Sequence, residues 1–501
     1  MTAQHFILAI DQGTTSSRAL LFDQAGSVVG IAQRPIDVSF PHLGWVNQDA
    51  AQIWAVTEAV CHEAIAHAGA KPSQIAAIGI TNQRETTVLW DRKTGTPLAP
   101  VIVWQSRQSA DVIRSMEARG VAERYRAITG LVLDPYFSAS KIRWLFDHDR
   151  DLEARAGRGE VCFGTVDSWL IWNLTGGMHL TDMTNASRTL LFDIHSRAWS
   201  EELLDDLHIP TQMLPGLVPN AGTFAHAGAE FGNAPISGCA GDQHAALFGQ
   251  GCYEAGRAKN TYGTGSFALL NTGPDVVESN NGLLSTLAWV IDDCASYALE
   301  GSVLVSGSAV QWLRDELGII ESAAEVETLA MSVPDTGGVM FVPALTGLGA
   351  PDWDDSARGV IVGITRGTSR AHIARATLEG IAFQVADVLR AMTNDAGSPV
   401  TELKVDGGAA RNDMLLQVQA DLLGVPVVRS AIQETTALGA AYLAGLGIGF
   451  WRDMDQLAQL WRSDGRFEPT ISGDERDSRI AQWRRAVDRS RAWATTGSDH
   501  S

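Results

Sequence analysis

Two stretches far apart in the chain share one pattern, and this repetition constrains the fold more than any other feature. The first is His5-Phe6-Ile7-Leu8-Ala9-Ile10-Asp11-Gln12-Gly13-Thr14-Thr15-Ser16-Ser17-Arg18. An apolar run short enough for one buried strand ends at Asp11, and Gly13 with a cluster of hydroxyls follows. A second apolar run, Ala19 to Phe22, closes on the turn residues Asp23-Gln24-Ala25-Gly26. The spacing predicts a β-hairpin. Its turn suits phosphate: Gly13 admits an anion close to backbone N–H groups, Thr14, Thr15 and Ser16 supply hydroxyl donors, and Arg18 supplies a cation. Asp11 would repel a bare phosphate, so its expected role is to hold Mg²⁺ and its waters. Taken alone, an ordinary polar hairpin turn explains the stretch as well. The pattern returns, however, as Asn260-Thr261-Tyr262-Gly263-Thr264-Gly265-Ser266-Phe267 followed by Ala268-Leu269-Leu270. Two halves that each open on such a hairpin imply a duplicated α/β architecture with a nucleotide clamped between them.

The 501 residues exceed one ordinary core, which predicts two large domains. They are placed at 1–250 and 251–493, with the break near Gly249 to Arg257 and a flexible tail over 494–501. Strands and helices alternate along the chain, as an α/β class requires. Ile75 to Ile80 reads as a buried strand opening onto Thr81-Asn82-Gln83-Arg84-Glu85. Similar junctions follow at Ala234 to Gln243 and at Leu403 to Asp413, and Gln52 to Ala68 has helical spacing. The uncharged stretch from Thr436 to Trp451 is short and broken by glycines, so it is expected as a packed helix and a turn, with no membrane insertion.

A formal charge of −20 argues against a nucleic-acid partner, since nothing forms a basic stripe to displace counterions. A polyanionic substrate would need local cations. Five scattered cysteines without a CxxC pair fit a reducing cytoplasm better than a disulfide framework or a zinc knuckle. No GxxxxGK[ST] is present, and no Gly-rich fingerprint with the Rossmann spacing follows the first strand.

The two Gly/Thr turns, the late Asp406-Gly407-Gly408 and the acids at strand ends together resemble the superfamily of sugar kinases, heat-shock chaperone ATPases and actin. Within it the chain resembles the FGGY carbohydrate kinases, most of all the branch that phosphorylates glycerol. The resemblance runs from Ile7 to about Trp461. Its blocks are Asp11 to Arg18, Ile80 to Thr87, Gly241-Asp242-Gln243, Asn260 to Gly265, Val405 to Gly408 and Thr436 to Tyr442, with the family signatures at Tyr136 to Trp144 and Gly359 to Glu379. It implies two ribonuclease-H-like, actin-like ATPase domains around a cleft. It also implies transfer of the γ-phosphoryl group of MgATP to glycerol, the entry step of glycerol catabolism, by a homo-oligomer, dimer or tetramer.

Carried over residue by residue, the resemblance makes Asp242 the catalytic base and, with Asp11, a metal ligand. As an alternative, an acid at that position caps the following helix. Arg84 and Glu85 match the polyol-binding pair, with Gln243 beside them, because a guanidinium and a carboxylate together orient hydroxyls that both donate and accept. Trp104, Tyr136 and Phe267 match the pocket wall, although a single aromatic is more often plain core. Thr14, Thr15, Ser16 and Arg18 match the first phosphate turn and Thr264 the second. Gly307 and Gln311 match positions near the nucleotide, and Gly408 and Asn412 match the adenosine side. Lys404, Arg411 and Asp413 are expected on a solvated face. One departure is regulatory: where some bacterial relatives carry a Gly-Gly-Thr-Arg loop that binds fructose 1,6-bisphosphate, this chain reads Glu230-Phe231-Gly232-Asn233-Ala234. An acid and no arginine there predict no such inhibition, and His226 nearby reads as an exposed loop histidine. Two rivals stay open on sequence: a relative acting on a larger sugar such as xylulose or gluconate, and a chaperone-like or filament-forming ATPase. The second would need neither Arg84-Glu85 nor a base at Asp242.

Overall fold

The computed structural model describes residues 4–494. The expected tail from residue 495 onward lies outside the described residues. Two mixed sheets organise the chain. The first contains β1 (Phe6–Gln12), β2 (Ser16–Phe22), β3 (Val28–Pro35), β4 (Ile75–Asn82), β5 (Ala221–His226) and β6 (Pro235–Gly241), in the order β5-β6-β4-β1-β2-β3. β1, β2 and β3 form an antiparallel meander, while β4 joins β1 and β6 joins β4 in parallel. The second contains β7 (Ala258–Tyr262), β8 (Ser266–Gly273), β9 (Leu284–Ile291), β10 (Cys294–Val303), β11 (Leu403–Asp406), β12 (Val427–Ser430) and β13 (Ser463–Phe467), in the order β9-β10-β8-β7-β11-β12-β13. Its antiparallel β7–β8 hairpin followed by parallel β11 and β12 repeats the arrangement of β1–β2, β4 and β6. Both expected hairpins are present, each with its Gly/Thr turn between the strands.

The apolar runs of the central strands follow from burial on both faces; all but one residue of β1 is buried. Helix α1 (Ala50–His67) begins at Asp49, whose carboxylate accepts from the Ala51 N–H, and covers β2 and β3. On the opposite face, α2 (Asp242–Gly249) and α3 (Thr435–Gly447) lie together. The glycines of the uncharged stretch are explained by this contact. A Cβ on Gly439 would stand 1.8 Å from the Ala245 carbonyl oxygen, and one on Gly79 of β4 would stand 2.2 Å from the Ala440 oxygen. Backbone approaches backbone there, and only glycine permits it.

Helix α3 thus packs on the first sheet although it lies late in the chain. The apolar cluster around it also takes in Leu269 and Trp289 of the second sheet, tying the halves together. Lys404 departs from the expected solvated face. Its Nζ donates to the Gln250 carbonyl at 2.6 Å and stands 3.8 Å over the Trp461 ring. The cause is the chain itself, which crosses between the sheets at residues 249–258 and again beyond α3 and so covers that face of β11. Arg411 and Asp413 do lie near solvent, Asp413 paired with Arg429 at 2.7 Å.

Candidate active site

Parallel pairing places the carboxyl ends of β1, β4 and β6 side by side: Gln12 and Gly241 both stand opposite Asn82. A crevice at such strand ends is where α/β sheets bind ligands. Asp11, Arg84, Glu85 and Asp242 therefore meet although they are far apart in sequence. The turn after β4 carries Arg84 and Glu85, and Glu85 has φ of 60°, a left-handed conformation unfavourable to a residue with a side chain. Its carbonyl is pinned by Ser138 Oγ at 2.9 Å and Lys141 Nζ at 3.2 Å, and Lys141 also donates to the Tyr136 carbonyl. Lys141 is wholly buried, and burial holds its pKa down at about 7.

Arg84 and Glu85 do not form a simple neighbour pair, since Arg84 Nε lies 3.9 Å from Glu85 Oε1. Arg84 instead grips Glu300 of β10 with both terminal nitrogens, at 2.5 and 2.9 Å. Glu85 Oε1 accepts from Arg188 Nε at 2.7 Å, and Arg188 Nη2 reaches Glu300 Oε1 at 3.2 Å. Each of the four side chains is at most 2% exposed. Burial alone would raise the Glu300 pKa, but the charges of Arg188 and Arg84 outweigh it and hold the carboxyl well below the usual range. Sequence reasoning missed Arg188 and Glu300. Neither stands in a strand-to-turn junction; a search for charged residues inside otherwise apolar runs would have raised Glu300, and no local signal marks Arg188.

Asp242 opens α2, with Gly241 as its N-cap. Its Oδ1 lies 2.6 Å from the Gln243 N–H and 3.0 Å from Arg84 Nε, and its side chain is 32% exposed, so it reaches the crevice. It is both a first-turn acid and a cleft residue. Gln243 is turned by Lys259, which donates to its Oε1 and to Thr261 Oγ1 at 3.0 Å. The amide NH₂ of Gln243 is left as the remaining donor. Burial raises the Asp11 carboxyl to about 6, with Arg18 opposing and Asp242 adding to the rise. Among the described residues no side chain or backbone group donates a hydrogen bond to it. An unpaired, desolvated carboxylate beside a second one fits a divalent cation.

The rings of Trp104 and Tyr136 stand edge to face at 5.5 Å. Trp104 Nε1 donates to Thr14 Oγ1 at 2.8 Å, linking the pair to the first Gly/Thr turn. Phe267 lies half-buried on β8, without a ring contact to that pair among the described residues.

The first turn is closed by the Gly13 N–H to the Ser16 carbonyl at 2.9 Å, the second by the Gly263 N–H to Gly265 at 2.8 Å. Thr15 and Thr264 are exposed and Ser16 accepts from Gln33. Arg18 pairs with Glu434, which precedes α3, rather than standing free. Gly307 docks on the second turn through its N–H to the Gly263 carbonyl at 2.9 Å. A Cβ there would stand 2.7 Å from that oxygen, and Gln311 is exposed one turn along the helix that Gly307 begins. Nothing lies within 4 Å of where a Cβ of Gly408 would be. Asn412 caps the helix Asp413–Leu423 through Oδ1 to the Leu415 N–H at 2.8 Å, a structural task that the sequence pattern did not disclose.

This geometry has close relatives. A glycerol kinase of Dechloromonas aromatica (strain RCB) is 56% identical over 495 residues, covering 98% of this chain and 99% of that protein. One from Trichlorobacter lovleyi is 57% identical over 492 residues, covering 98% and 99%. The crystal structure of Plasmodium falciparum glycerol kinase with ADP superposes with a TM-score of 0.93 at 36% identity, over 97% of this chain and 98% of that one. The N-terminal domain of the FGGY family of carbohydrate kinases matches residues 6–249 and its C-terminal domain residues 258–448. With both domains matched in order and these relatives covering nearly the whole chain, the chain belongs to the FGGY family of carbohydrate kinases.

Proposed function

We propose that the chain transfers the γ-phosphoryl group of ATP to glycerol, forming sn-glycerol 3-phosphate and ADP. The carrying observation is that Arg84, Glu85 and Asp242 converge in one crevice beside the Trp104–Tyr136 wall, with Asp242 3.0 Å from Arg84 Nε. The high identity to named glycerol kinases supports the choice of acceptor.

In this reading the unused N–H groups of Arg84 and the free Oε2 of Glu85 hold two hydroxyls, and the aromatic wall covers the carbon side. Asp242 accepts the proton of the third hydroxyl as its oxygen bonds to phosphorus and the bond to ADP breaks. Asp11 and Asp242 would hold Mg²⁺, which when bound offsets the phosphate charge. Thr14, Thr15, Ser16 and Arg18 would face the phosphates from one sheet and Thr264 from the other. Gly307, Gln311, Gly408 and Asn412 would flank the nucleoside, and Phe267 would close the wall. Arg18 must exchange Glu434 for phosphate to take part. The domains at 1–250 and 251–493 would close on the two ligands, and the protein would work as a homo-oligomer in the cytoplasm.

ADP release measured with ATP and a panel of glycerol, xylulose and gluconate tests the reading. Turnover that depends on glycerol alone supports it. Turnover on the larger sugars, or ATP hydrolysis indifferent to any polyol, overturns it.

A further inference from the structure

The Arg84–Glu300–Arg188–Glu85 ring crosses between the halves of the molecule. Arg84, Glu85 and Arg188 precede residue 249, whereas Glu300 comes from β10 of the second sheet. The ring has two positive and two negative members, all buried; three of its links are direct hydrogen bonds and the fourth, from Arg84 to Glu85, spans 3.9 Å. We propose that Glu300 and Arg188 are positioning residues for the acceptor pocket, fixing the donors of Arg84 and the free oxygen of Glu85. This rests on the polyol-kinase reading above.

Three observations carry it. Glu300 engages both terminal nitrogens of Arg84 in a fork, which sets the plane of the guanidinium and leaves its other N–H groups pointing elsewhere. Arg188 occupies Oε1 of Glu85, and Oε2 has no protein hydrogen bond among the described residues, so a single carboxylate oxygen remains for a ligand. Arg188 is itself held in place, with its guanidinium carbon 5.7 Å from the centre of the Tyr136 ring and 5.4 Å from that of Phe137. A lysine at 188 would keep the charge but not the planar fork that reaches Glu85 and Glu300 together. The ring touches neither Gly/Thr turn, and its link to the reacting groups is Arg84 Nε, 3.0 Å from Asp242. The second half thereby contributes to the acceptor site as well as to the nucleotide side. A pocket of the same residues without Glu300 would leave two buried guanidinium groups with Glu85 as their one shared anion.

The test uses the full-length chain and steady-state kinetics with glycerol and ATP varied separately. E300Q keeps the shape of the side chain and removes the shared charge, and R188K keeps the charge and removes the fork. For both, the KM for glycerol should rise 10- to 100-fold, while kcat at saturating glycerol and the KM for ATP stay within about threefold of wild type. R188Q should be worse than R188K for glycerol and equal to it for ATP. If E300Q does not fold, R188K and R188Q carry the test, since they leave Glu300 paired with Arg84. Unchanged glycerol KM in folded R188K and R188Q overturns the proposal, as does an equal loss for ATP and glycerol. Failure of wild-type protein to phosphorylate glycerol would overturn the function reading instead, and is seen before any variant is made.

Discussion

The two sheets repeat one scaffold and use it for different chemistry. At the edge of the first, Asp11 is the penultimate residue of β1, the turn after β4 carries Arg84 and Glu85, and β6 leads to Asp242. At the corresponding places of the second stand Thr261, then Gly407-Gly408, then Ser430. Cross-strand pairing shows the same contrast: Asp11 faces Arg18 in the first hairpin, while Thr261 faces Phe267 in the second. The first edge concentrates ionised side chains that can grip hydroxyls and move a proton. The second offers glycine, hydroxyl and backbone, which suit a flat base and an already charged phosphate, while its own strand-end acid, Asp406, is tied up by Gln250 and Thr435. Duplication therefore fixed where a ligand could sit, and the residues at the strand ends divided the work.

If the charged edge performs the chemistry, its loss should be the most damaging. Asp242→Asn keeps the size and the Oδ1 contact with the Gln243 N–H but removes the proton acceptor. Turnover should fall by roughly 10²–10⁴ while glycerol and ATP still bind by calorimetry. Near-normal turnover would reduce Asp242 to a helix-opening acid.

Arg84→Ala should cost less in turnover and more in binding. Lost charge-assisted contacts weaken glycerol binding by about 1.5–3 kcal/mol, read as a higher KM. Because Glu300 would keep Arg188 alone, chemical denaturation should also show a loss of stability, up to about 3–5 kcal/mol for a broken buried pair. A kinetic defect with no change in the denaturation midpoint would show that the ring contributes little to folding.

The second edge is probed by its glycines. Gly407 has φ of 89° and a Cβ there would stand 2.4 Å from the Tyr262 carbonyl oxygen, whereas Gly408 meets nothing within 4 Å. Gly407→Ala should destabilise by roughly 1–3 kcal/mol. Gly408→Ala should leave the melting temperature unchanged and act on the KM for ATP alone. Equal effects at the two positions would blur the distinction between a structural and a ligand-facing glycine.

The smallest effect is expected away from both edges. In the Glu230-Phe231-Gly232-Asn233 loop Phe231 is buried and Glu230 is the charged member. Millimolar fructose 1,6-bisphosphate should leave the rate nearly unchanged, and saturable inhibition would place an anion site elsewhere on the molecule.

The hairpins, their turns and the residues at strand ends were legible in the sequence, because strand period, turn chemistry and a polar residue closing an apolar run are local signals. That is why Asp11, Arg84, Glu85 and Asp242 stood out before any contact was known. The fold class, the family and the packed glycine-rich helix were determined in the same way. What the sequence left undecided is what depends on distant segments meeting. Glu300 lies inside an ordinary-looking strand, Arg188 follows a run of small polar residues, and Lys404 alternates with apolar neighbours as a surface residue would. Only the packing of one sheet's edge against the other turned the first two into a buried ring, and only the chain crossing between the sheets covers the third, leaving it half-buried. The same holds for α3, whose sequence predicts close packing through Gly439 but not against which sheet. Charge burial depends on which partners tertiary structure brings within reach, and a linear pattern carries no record of that choice.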